Sequence, residues 1–144
     1  MVNAKYSGRC LCSKIQFQVS GFSSEAAHCH CSMCQKFHGS AFATLVAVKD
    51  LEWRQGVESL KSYQASNGVK RYFCEVCGSS LAFLAAGAED QDIELAIACF
   101  DQQVPINIDA HIFLSSKVSW HEITDSLPKF DHGRDGDLWE EGKS

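Results

Sequence analysis

Seven of the eight cysteines in this 144-residue chain fall into three clusters whose spacing suits metal ligation. Cys10 and Cys12 form a C-x-C pair, and Cys74 and Cys77 form a C-x-x-C pair followed by Gly78, a small residue of the kind a metal-knuckle turn uses. Residues two apart on an extended strand share a face, and a C-x-x-C turn folds two sulfurs toward one point. Together the four thiolates can close a tetrahedral zinc site. Two unrelated reduced pairs, or a redox C-x-x-C, are the other readings of the same spacing. The third cluster lies in CHCSMCQKFHG, residues 29 to 39, where Cys29, Cys31 and Cys34 stand among His28, His30 and His38. Three thiolates on one zinc leave a fourth position open, as catalytic zinc sites do, whereas structural sites are closed. The competing arrangement is a closed site completed by His28, His30, His38, His111 or Cys99. Cys99 itself sits in the apolar run IELAIACF and reads as a core thiol.

The elements that must hold these clusters read as short strands. In KIQFQV, Ile15, Phe17 and Val19 alternate with Gln16 and Gln18, the period of a half-buried strand. Further strands are expected over 42–48, 59–63, 70–73, 81–84, 94–99 and 110–113, separated by turn residues such as Asn67-Gly68, Gly78-Ser79 and Gly87. A helical turn or two is expected from Ser32 to Phe37, which would place Cys34 near a helix N-terminus that favours a thiolate. Trp53 and Trp120 read as core or half-buried packing residues. The spacing predicts a mainly β protein with little helix: one domain over residues 1–130, then a polar, Gly-rich and acidic tail over 131–144 anchored by Trp139.

Composition sets limits on function. A chain of this length buries roughly 68–70% of its unfolded surface and needs no staple for stability. The hydrophobic fraction of 45% and charged fraction of 22% are ordinary for a globular protein, and no apolar run approaches the length of a membrane span. No secretory signal is evident, so the expected location is cytoplasmic, where clustered cysteines serve as ligands more than as disulfides. The net charge of −5 comes without a Lys/Arg stripe, which argues against nucleic acid as a partner. No Walker-type loop and no G-x-G-x-x-G after a strand supports a nucleotide cofactor.

GRCLC near the start, CHCSMC in the first third, RYFCEVCGSSL in the middle, then HIF, W and DSLPKF resemble the glutathione-dependent formaldehyde-activating enzyme and centromere-protein-V family. The resemblance covers roughly residues 5 to 130. It implies a tent-like arrangement of short antiparallel sheets with two zinc ions. The structural zinc would sit on Cys10, Cys12, Cys74 and Cys77, and the active-site zinc on Cys29, Cys31 and Cys34. Ser13 departs from the pattern, since members commonly carry Gly after the C-x-C pair.

The implied chemistry is addition of a thiol, glutathione, to a small aldehyde such as formaldehyde, or the reverse carbon–sulfur cleavage. A thiol at the open zinc position loses its proton near neutral pH, and a nearby donor must protonate the developing alkoxide. His30, His38 and Ser32 are the nearest in sequence, with hydrogen bonding to the metal thiolates as their other role. Lys36, Lys70 or Arg71 could meet the glutathione carboxylates, or be solvated surface cations. A zinc-stabilised protein-binding module without catalysis is the alternative function. A zinc hydrolase lacks a nearby carboxylate, as residues 26 to 49 contain no Asp or Glu.

Overall fold

The computed structural model describes residues 5–140. Strands dominate: β1 (Tyr6–Arg9), β2 (Gln16–Val19), β3 (Gly21–Cys29), β4 (Ala43–Lys49), β5 (Glu52–Gln55), β6 (Leu60–Gln64), β7 (Lys70–Cys74), β8 (Ser80–Leu84), β9 (Glu94–Ala96) and β10 (Ala110–Ile112). The one α-helix among the described residues, α1 (Ser32–His38), lies between β3 and β4 in the chain. The protein is mainly β, and among the described residues no helix is long and apolar enough to cross a membrane.

Backbone contacts divide the chain into two units. The first comprises the chain up to Ser24 with Leu45–Ile106, and the second Glu25–Thr44 with the chain from Asn107 onward. In the first unit, β1, β2 and β5 form an antiparallel sheet in that order, and β4-β9-β8-β7-β6 form an antiparallel ladder. Its core is the inward half of each alternation. Ile15, Phe17 and Val19 are buried, as are Val46, Leu81 and Leu95, and Phe17 meets Phe100 edge to face with ring centroids 5.2 Å apart.

The second unit holds the later part of β3, α1 and β10. β10 runs parallel to β3, with His111 opposite His28 and Ile112 opposite Cys29. Large aliphatics are scarce in its core: Ala26, Ala27, Ala41, Ala43 and Ala110 are buried with Leu114, and the bulk is supplied by the imidazoles of His30 and His111. Glycine closes α1, Gly39 taking φ 62° and returning its N–H to the Gln35 carbonyl.

Several expectations shift here. β1, β3 and β5 carry no clean alternation, and β3 spans nine residues despite the polar GFSSE stretch. The strand expected over 94–99 ends at Ala96, because residues Ile97–Cys99 turn into a 3-10 helix. That turn leaves Cys99 half-buried rather than in the core, its Sγ against the Ser80 carbonyl at 3.5 Å. Trp120, expected to pack, is 72% exposed, since it lies in an irregular segment outside any strand. Residues 130–139 of the C-terminal segment carry backbone pairing, with Phe130 bridged to Leu138 and the Trp139 N–H on the Lys129 carbonyl. The last four residues of the expected tail, 141–144, lie outside the described residues.

Candidate metal centres

The first centre is built from two turns of the first unit. After β1 the chain folds back, with the Cys10 N–H on the Ile15 carbonyl and the Ser13 N–H on the Cys10 carbonyl. The C-x-C pair therefore sits in a tight turn instead of on an extended strand. Ser13 closes that turn at φ 69°, a left-handed conformation that costs a non-glycine residue on the order of 1–2 kcal/mol. The second turn follows β7, where the Gly78 N–H returns to the Cys74 carbonyl and Gly78 takes φ 80°. Ser79 Oγ accepts the Leu11 N–H at 2.7 Å and so ties the two turns together.

These turns bring the sulfurs of Cys10, Cys12, Cys74 and Cys77 within 4.8 Å of one another. Cys10 and Cys12 are 3.6 Å apart, and Cys12 and Cys74 3.9 Å. A zinc–sulfur bond of about 2.3 Å in tetrahedral geometry demands a sulfur–sulfur edge of about 3.8 Å, so the set fits the ion. The Ile15 N–H points at Cys10 Sγ, 3.3 Å away, a donor suited to a thiolate. Burial pushes the Cys77 thiol up, but hydrogen bonds from Ser79 and the Cys12 backbone overcome it and bring it down to about 5. At Cys12 the Lys14 N–H works downward, while burial and the neighbouring thiols raise it to about 11.

The second centre belongs to the second unit. Cys29 ends β3, Cys31 is the N-cap of α1, and Cys34 lies in its first turn, buried. The Cys31 sulfur accepts the Cys34 N–H at 3.2 Å, doing the work of a capping oxygen. The three sulfurs lie within 4.8 Å of one another, with Cys34 and Cys29 3.5 Å apart. The Cys31 and Cys34 sulfurs, and then burial, push the Cys29 thiol strongly upward. Three thiols so placed ionise together only beside a cation, which is the chemistry of a soft metal site. Among the described residues no fourth side chain joins them: His28, His30, His38, His111 and Cys99 all stand outside the group.

The histidines form a cluster of their own. His28 Nδ1 lies 2.8 Å from Thr44 Oγ1. His30 Nε2 lies 2.8 Å from His111 Nδ1, and His111 Nε2 lies 2.9 Å from Asp125 Oδ2. Phe42 packs against His28, His30 and His121. Burial, then His111, lowers both His28 and His30, the latter to about 3, so the His30 ring is neutral. Burial works to raise Asp125, but its bonds from His111 and the Leu127 N–H hold it below the ordinary carboxylate range. His30 Nδ1 is buried with no hydrogen-bond partner among the described residues, a condition that costs on the order of 1–3 kcal/mol. Sequence reasoning did not single out Asp125, whose only mark was its place in the DSLPKF stretch. Of the three cations named for glutathione, Arg71 is buried with its guanidinium 5.3 Å over the Phe83 ring, while Lys36 is exposed on α1.

A curated relative, an uncharacterized lyase of Schizosaccharomyces pombe, is 28% identical over 79 residues, 55% of this chain and 57% of that protein. The chain thus spans little more than half of that relative's length. A crystal structure of a Rhodobacter sphaeroides protein superposes with a TM-score of 0.55 and 25% identity, covering 69% of this chain and 91% of that one. The family model for the glutathione-dependent formaldehyde-activating enzyme matches residues 5–116, which include all seven clustered cysteines, and the chain belongs to that family.

Proposed function

We propose that this protein is a zinc-dependent carbon–sulfur lyase that joins glutathione to a small aldehyde such as formaldehyde, or reverses that reaction, at Cys29, Cys31 and Cys34. In this reading the four-cysteine centre is structural, each chain carries two zinc ions, and a reducing cytoplasm keeps the ligand thiols available. The observation that carries it is the number of donors: three sulfurs converge in the second unit and, among the described residues, no fourth side chain joins them. Cys29, Cys31 and Cys34 would hold zinc there, and the ion would supply the Lewis acidity that makes a substrate thiol ionise near neutral pH.

The residues of the chain set the character of that site. Three thiolates place negative charge on the metal side and leave the substrate sulfur nucleophilic, more so than three neutral imidazoles would. The Cys34 N–H on Cys31 Sγ steadies one ligand and fixes its direction. In the forward direction the thiol proton leaves, the sulfur–carbon bond forms, and the carbonyl electron pair moves onto oxygen, which takes up a proton to give a hydroxymethyl thioether. Lys36 on the exposed face of α1 is available to a glutathione carboxylate.

Cobalt substitution tests the reading. Glutathione is expected to change the visible ligand-field spectrum of the second site, and S-methylglutathione, a much poorer ligand, to leave it unchanged. An equal response to both means that the peptide portion alone binds, and the sulfur mechanism fails. No response to either moves the protein to the alternative, a zinc-stabilised binding module.

A further inference from the structure

The extended chain through β3 and into Cys31 sends successive side chains to opposite faces. Cys29 and Cys31 converge with Cys34 on one side, while the rings of His28 and His30 both lie against Phe42 and His111 on the other. His30 is thereby the inner peg between two metal-directed sulfurs. Three bonds hold it: its N–H on the Ile112 carbonyl at 2.9 Å, its carbonyl under Gln35 Nε2 at 2.7 Å, and its ring on His111.

The carboxylate at the outer end specifies the proton positions along the whole chain. Asp125 Oδ1 accepts the Leu127 N–H, Lys129 Nζ stands 3.8 Å away, and an ionised carboxylate only accepts. In its neutral form His111 then carries its hydrogen on Nε2 and offers a bare Nδ1. His30 must donate from Nε2 and keep its own Nδ1 bare. That last nitrogen is the buried atom without a partner among the described residues, in a side chain 0% exposed. Packing alone would be served better by a phenylalanine or leucine, which would leave no unsatisfied acceptor.

We propose that Asp125 and His111 are positioning residues for the second metal centre: the Asp125–His111–His30 chain fixes the His30 ring and, with it, the Cys29–His30–Cys31 backbone that aims two of the three sulfurs. The proposal rests on the reading that the cysteine triplet holds zinc, and not on the thiol–aldehyde reaction. Its outer end is accessible, since Asp125 is 46% exposed and lines a surface pocket of about 300 Å³ with Lys117, Glu122 and Lys129. Its inner end is dry, His111 being 2% exposed.

The test uses the full zinc-loaded chain, with His111→Phe, which keeps a ring beside Phe42, and Asp125→Ala at the half-exposed end. Competition against a chromophoric chelator is expected to show the triplet zinc held roughly 10- to 100-fold more weakly in His111→Phe. The loss in Asp125→Ala should be several-fold in the same direction, with the four-cysteine zinc unchanged in both. Nitrogen-15 spectra of the wild-type imidazoles are expected to show His30 and His111 protonated at Nε2, and Asp125→Ala to release His111 into a mixture of tautomers. A role in packing alone would lower the melting temperature without moving the tautomers or the ratio of the two zinc affinities. The proposal is overturned if the wild-type His30 carries its hydrogen on Nδ1, or if the folded variants hold the triplet zinc within twofold of wild type. Should His111→Phe fail to fold, Asp125→Ala decides alone. A wild-type stoichiometry of one zinc sinks the metal reading of the triplet and this proposal with it; two zincs with unchanged variants sink only the proposal.

Discussion

Removing one ligand from each centre should have unequal effects on the fold. Cys74 is 0% exposed at the end of β7 and lies 62 positions from Cys12, whereas Cys29 and Cys34 are 5 positions apart. In the chain-entropy treatment of a cross-link, closing a loop of 62 residues is worth about 4 kcal/mol and closing one of 5 about 2 kcal/mol. Against a total stability of roughly 5–15 kcal/mol, the first loss consumes a large share. At about 4 °C per kcal/mol for a chain of this size, Cys74→Ser should lower the melting temperature by roughly 15 °C or prevent soluble expression. Cys31→Ser should lower it by about 8 °C or less. Local structure favours that smaller figure, because Cys31 is the N-cap of α1 and serine is among the best residues at that position. Calorimetric melts with zinc counted on each variant provide the assay, and Cys31→Ser is expected to retain one zinc, the fold and no thiol-dependent activity. If it melts as low as Cys74→Ser, the triplet is structural and the entropy argument is wrong.

Two further substitutions probe the turns and the packing around the first centre. Ser13→Gly should raise the stability of the zinc-loaded protein by about 1 kcal/mol, because Ser13 sits at φ 69° where glycine carries no side-chain penalty; a lower midpoint in urea would mean that the serine side chain contributes something the backbone argument omits. Gly8→Ala should destabilise by about 1–3 kcal/mol, since the added methyl would overlap the Phe17 ring and the Cys99 carbonyl, and the backbone oxygen has little freedom to move; an unchanged midpoint would show that β1 shifts freely.

The local parts of both candidate metal centres were legible in the sequence. Cysteines two or three residues apart can be brought together locally, so C-x-C, C-x-x-C and C-x-C-x-x-C mark candidate ligand sets through spacing alone. The alternating strand β2 and the helix after Cys31 were legible for the same reason, their signals being contained in a few adjacent residues. β3 and β5 were not, because their residues are suited to their places by neighbouring strands and not by any pattern of their own.

Which histidines would serve the second centre, and how, was beyond the sequence. His30, His38 and His111 were indistinguishable as candidates by type, and none of them joins the three sulfurs. Only the parallel pairing of β10 with β3 brings His111 to His30 across 81 residues, and only the later loop carries Asp125 back to His111. The sequence by itself determined which thiols lie within one turn of each other, because short turns leave their sulfurs little choice of direction, whereas the meeting of the Cys10/Cys12 pair with the Cys74/Cys77 pair is a tertiary contact across 62 positions. The tertiary structure decided how many donors the second centre has and what holds its inner face, because those depend on strand pairings whose closure runs through most of the chain.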